Sequence, residues 1–144
     1  MIENIHFKNI GYQASKVPNQ IITNVKQGSF IELEEHLLNV CVPIFVKAFE
    51  WNQDKKFYLK EVYYNSEFEH TSGKLSFLLW IDILAESEFF WLVYNVLGER
   101  NIKTLLIDNL WQGTLFLFPS NLQYRLSNLN MSIIKGSIDY DNIN

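Results

Sequence analysis

Lys74-Leu75-Ser76-Phe77-Leu78-Leu79-Trp80-Ile81-Asp82-Ile83 is the stretch whose reading decides the fold. Leu75, Phe77, Leu79, Ile81 and Ile83 fall on one side of a period-two repeat, and Ser76, Leu78, Trp80 and Asp82 fall on the other. That alternation is the signature of a strand, not of a helix. Working outward, Phe57 to Tyr64 is rich in aromatic and β-branched residues, and Phe89 to Tyr94 is apolar on both faces, as a sandwich-core strand is. A turn over Asn95–Glu99, with Gly98, leads to Ile102–Ile107. Gly113 opens Thr114–Phe118, Pro119-Ser120 punctuates, Leu122–Leu126 follows, and Met131–Tyr140 closes the series. Short strands with a turn signal every ten or so residues predict an all-β sandwich or barrel.

Before Trp51 the period is different. Leu33, Leu37, Val40 and Ile44 recur at three or four residues, which predicts one buried helical face within Ile31–Phe49. Glu32, Glu34 and Glu35 stand in its first turns, where the helix dipole favours acids, and His36 among them reads as a solvent-facing residue. Pro43 must kink or split the helix, because its ring removes a donor and clashes one turn back. Ile5, Phe7 and Ile10 suit an edge strand, and Pro18 opens a short Ile21-Ile22-Val25 stretch of helical character. The 144 residues read as one domain, a helical or irregular part over 1–51 and a β core over 52–144.

Composition excludes several functions. The chain is 48% hydrophobic and 15% aromatic, too apolar for a solvated coil. Its net charge of −4 and scattered lysines speak against a nucleic-acid partner. Apolar runs such as Phe77–Ile81 fall far short of the ~20 residues of a membrane helix. Met1-Ile2-Glu3-Asn4 shows neither a basic start nor an apolar signal core, so a soluble, non-exported, cytoplasmic domain is expected. Cys41 is the sole cysteine and, between Val40 and Val42, reads as a buried inert thiol. Ser120 and Ser127 have no histidine in reading distance to activate them.

Four blocks carry a family resemblance. His70-Thr71-Ser72-Gly73-Lys74-Leu75-Ser76-Phe77-Leu78-Leu79-Trp80 resembles a His-bearing turn that feeds a Ser-Phe-Val-Ile-Trp-like strand. Phe90–Gly98 is similar to an aromatic strand ending in Asn-x-Leu-Gly, and Gly113–Leu122 to a Gly-x-(apolar)-x-Phe-Phe-Pro-Ser-x-Leu signature. Ile133-Ile134-Lys135-Gly136-Ser137-Ile138 resembles a closing Ile-Ser-Ile-Ser-Gly-Asn-Ile strand. The family is the 2-oxoglutarate/Fe(II) oxygenase-like proteins of tailed, notably marine, phages. The resemblance implies a double-stranded β-helix (jelly roll) with the N-terminal helical segment packed outside. In working members, two His and one acid hold Fe(II) at the mouth of the roll, and an Arg on the last strand forks onto the far carboxylate of 2-oxoglutarate.

Against that pattern most of the ligands are missing. His70 is the one metal-ligand candidate, but its i+2 neighbour is Ser72 where an acid or a second His is needed. Glu67 and Glu69 are the nearby carboxylates. Tyr124 stands at the distal His position, and a phenol with a pKa near ~10 is a poor ligand for Fe(II) at neutral pH. Met131 stands where the co-substrate Arg opens the last strand, and Arg125, next to Tyr124, points to the other face. Only His6 and His36 remain, both N-terminal to the strands of the roll. The expectation is therefore a jelly roll without catalytic residues or cofactor. It would serve as a binding or structural module that self-associates or docks to other phage subunits, in the host cytoplasm or assembled into the virion, and would have no nucleic-acid or membrane partner. The rival reading is an active Fe(II)/2-oxoglutarate dioxygenase using His70, Glu67 or Glu69, and Tyr124. A third is a small-molecule or carbohydrate binder lined by Tyr and Trp.

Overall fold

A computed structural model of the chain describes residues 2–7, 10–49, 55–64, 72–82, 90–95, 102–107, 112–120, 123–126 and 132–142. The protein is mainly β. Its strands are β1 (Ile2–Phe7), β2 (Ile10–Lys16), β3 (Lys55–Tyr64), β4 (Leu75–Asp82), β5 (Phe90–Asn95), β6 (Ile102–Ile107), β7 (Thr114–Pro119), β8 (Gln123–Leu126) and β9 (Ser132–Asn142). Six form a sheet in the order β1-β2-β7-β4-β9-β3, and three form a second in the order β6-β5-β8. Every pairing is antiparallel. The expected strand from Ile5 to Ile10 is a hairpin: β1 turns back at once onto β2 and forms one edge of the larger sheet.

Between β2 and β3 the chain forms a helical layer: α1 (Asn19–Lys26), α2 (Ile31–His36), a π-helical turn over Leu37–Cys41, and α3 (Val42–Ala48). Pro18 caps α1 at its start, as its fixed φ permits. The split expected at Pro43 is real, and it is made by widening the helix. The Val42 N–H reaches back five residues to the Leu37 carbonyl, and Pro43 then sits in the first turn of α3, where a missing donor costs little. The wide turn inserts one residue into the helical count. The expected stripe Leu33, Leu37, Val40, Ile44 is therefore wrong past Leu37. Val40 and Ile44 are 40% and 37% exposed, and the buried positions become Cys41, Val42, Phe45 and Val46. His36 also departs from expectation. It is half-buried, its Nε2 is closed off without a partner, and burial holds its pKa below the usual imidazole value.

The helical layer covers one face of the six-stranded sheet. Leu75, Phe77, Leu79 and Ile81 of β4, Leu115 and Leu117 of β7, and Ile134 and Ile138 of β9 form one core with Val17, Ile22, Leu33, Leu37 and Phe45. The alternation read in β4 is confirmed there. Its other face is buried as well: Leu78 and Trp80, with Phe116, Phe118 and Ile133 from the neighbouring strands, are all closed to solvent. Trp80 meets Phe116 edge-on at 5.6 Å.

Two glycines are required by their surroundings. Gly113 sits at φ +85, accepts from the Val17 N–H at 2.8 Å and donates to the Trp80 carbonyl at 2.7 Å. It thus ties the ends of β2 and β4 to the start of β7. Gly136 lies in β9 between Phe77 and Val62. A Cβ there would strike the Glu61 carbonyl oxygen and stand 2.7 Å from the Phe77 ring. Gly136→Ala should therefore destabilise the fold by about 3 kcal/mol, the upper range for overpacking, with a thermal midpoint lowered by roughly 10 °C. Calorimetric melting of the variant against the parent chain measures this.

Candidate functional site

Strand alternation places Glu61, Tyr63, Ser76, Leu78, Trp80, Phe116, Phe118, Lys135 and Ser137 on the face of the large sheet turned away from the helices. Their registers agree: Ser137 lies opposite both Glu61 and Ser76, and Lys135 opposite both Tyr63 and Leu78. A bulge between Leu59 and Glu61 resets β3 so that Glu61 joins this face.

Glu61 is the hub of a polar network. Its Oε1 accepts from the Ser72 N–H at 2.5 Å, the Ser72 hydroxyl at 3.3 Å and the Ser137 hydroxyl at 2.8 Å, and its Oε2 accepts from the Tyr63 hydroxyl at 2.9 Å. Ser137 Oγ in turn accepts from the Gly73 N–H at 3.0 Å. Gly73 must lack a side chain, since a Cβ would stand 2.6 Å from that same Oγ. Burial pushes the Glu61 carboxyl up, but the hydrogen bonds from Ser72, Ser137 and Tyr63 outweigh it and hold the group below the ordinary carboxylate range. The bond to Glu61 raises the Tyr63 phenol above its usual value. Nearby, Ser76 and Ser120 share a hydrogen bond of 2.7 Å.

Glu61 and Lys135 are residues on this face that sequence reasoning passed over. Lys135 is 5% exposed, a buried lysine in the last strand. The signal was present, a lone lysine inside the apolar run Ile133-Ile134-Lys135-Gly136. Asp82, read in the sequence as following Ser76, Leu78 and Trp80 on one face, leaves that pattern and joins a half-exposed ion pair. An irregularity between Trp80 and Asp82 breaks the alternation, and the carboxylate accepts from Lys26 at 2.9 Å and Gln112 at 3.2 Å.

The expected metal and co-substrate positions are only partly within view. His70, Glu67, Glu69 and Met131 lie outside the described residues, as do Trp51 and Trp111. Tyr124 is in β8 opposite Leu92, and Arg125 follows it opposite Trp91. No group of three or more His, Cys, Asp or Glu suited to a metal ion occurs among the described residues. Cys41 is buried as expected. Burial pushes its thiol up to about 11, countered only in part by the neighbouring Ser15 hydroxyl. No helix among the described residues is long and apolar enough to cross a membrane. No family model, no curated protein and no solved structure matches this chain.

Two opposite pH limbs follow. Glu61 is more acidic folded than unfolded, so its stabilisation is complete above the unfolded carboxyl range near ~4.3 and is lost as the pH falls through the lower native value. Cys41 is less acidic folded than unfolded, so stability falls as the pH rises from about 8.5, where the unfolded thiol ionises, to about 11. Denaturant unfolding across pH should show Glu61→Gln flattening the acid limb. The stability gap between the parent and Cys41→Ala should narrow as the alkaline limb is climbed.

Proposed function

We propose that the chain is a 2-oxoglutarate/Fe(II) oxygenase-like double-stranded β-helix that acts as a non-catalytic binding or structural module. The observation that carries this reading is the nesting of the strand pairs. A jelly roll folds a long hairpin of eight strands, so that the first strand pairs with the eighth, the third with the sixth and the fourth with the fifth. Counting β3 as the first strand and β4 to β9 as the third to the eighth, those pairs are β3·β9, β4·β7 and β5·β6. The remaining neighbours, β4 with β9 and β5 with β8, are those that closing the roll requires. Burial on both faces of β4 supports a second layer opposite the helices.

In that scheme Tyr124 occupies the seventh strand, where the resemblance expects the distal His, and Met131 precedes the eighth, where it expects the Arg. The chain's residues at these two places do not suit Fe(II) and the co-substrate. The exposed Ile31, Val40 and Ile44 on the helical layer favour protein partners, either a second copy or, by the phage resemblance, other subunits in the host cytoplasm or the virion.

One observation favours the rival reading of an active dioxygenase. Lys135, buried on the face of the last strand turned away from the helices, carries an amine that would suit an acidic co-substrate even without Arg. Incubation with Fe(II), ascorbate and 2-oxoglutarate separates the two readings. The module should release no succinate above background and should run larger than a monomer in light-scattering chromatography. Turnover that disappears in both His70→Ala and Lys135→Met would establish the enzyme instead.

A further inference from the structure

We propose that the cleft between α3 and the start of β3 binds a small amphiphilic carboxylate, an acyl or aryl body ending in one anionic group. The cleft lies on the helical side of the large sheet, away from Glu61 and Lys135, and has a volume of about 570 Å³. That size is within the range of small-molecule sites. Its walls are of two kinds. Leu38 and Phe57 offer an apolar surface with Val42 and Val46 nearly closed behind it, while Lys47 and Lys55 also line the cleft. Asn39 adds an amide.

Several features frame this half-open groove. The π-helical turn places Leu38 and Asn39 beside the first turns of α3, and such turns recur at functional sites. Tyr140 backs the opposite wall. Phe57 packs edge-on against its ring at 5.4 Å, and the Lys55 ammonium lies 5.3 Å from the same ring centroid, so one residue fixes both an apolar and a cationic element. Lys47 has no ion-pair partner among the described residues, unlike Lys26 with Asp82 and Lys60 with Asp139. Two lysines lining a partly apolar cleft in a chain of net charge −4 favour an anion carried on an apolar body.

Octanoate, octanol and acetate test the two halves of this recognition, followed by methyl chemical shifts of the full chain. Octanoate should half-saturate at or below about 1 mM, within reach of a ligand of roughly ten heavy atoms. It should shift the Val42 and Val46 methyls. Octanol, which lacks the charge, and acetate, which lacks the body, should each bind at least tenfold more weakly. Lys47→Glu, at an exposed position, should leave the melting temperature unchanged and weaken octanoate at least tenfold without affecting octanol. The proposal is overturned if octanoate does not bind, if its shifts map elsewhere, or if Lys47→Glu binds it as the parent does.

Discussion

From Leu75 to Ile81 every side chain of β4 is withdrawn from water, and the architecture follows from meeting that demand on two sides at once. A strand buried on both faces needs a layer above and a layer below, and its backbone must be paired along both edges. The edges are supplied by β7 and β9. One layer is supplied by the helices between β2 and β3, whose inward residues interleave with Phe77, Leu79 and Leu117. The other face packs Trp80, Phe116 and Phe118 out of solvent and carries the Glu61 network at its margin.

That network is a structural device before it is anything else. The relay from Gly73 N–H through Ser137 Oγ to Glu61 joins the approach to β4, the middle of β9 and the bulged part of β3. A carboxylate that accepts four hydrogen bonds is strongly anchored, and charge-assisted bonds of this kind exceed neutral ones in strength. It fixes the segment at Ser72 and Gly73, two residues beyond His70, against the sheet. The family resemblance directed attention to His70, whereas the described network is organised by Glu61.

The sequence was legible where one periodicity governed a whole element. The alternation in Leu75–Asp82 and the turn signals around Gly113 and Pro119 located β4 and β7 closely, and the buried character of Cys41 followed from its apolar neighbours. Reading failed where a local irregularity changed the count. The π-helical turn shifted burial from Val40 and Ile44 to Cys41 and Phe45, and a break after Trp80 turned Asp82 toward Lys26. Lys135 was hidden because lysine is so seldom buried that a lone one in a strand reads as surface. Of the candidate iron-site residues, only Tyr124 falls in a described strand, so the correspondence there is one of chain position.

The extra residue in the Leu37–Cys41 turn has a further bearing on how this chain can vary. An ordinary helix advances about 100° per residue, and the wide turn takes up one residue without that advance. Losing a single residue inside the turn would therefore anneal it to regular winding and leave Cys41, Phe45 and Val46 inward, whereas the same loss beyond Pro43 would roll the later residues of α3 away from the sheet. Tolerance of a one-codon gap is thus confined to these five positions, which act as a slack link between two helical segments of fixed facing.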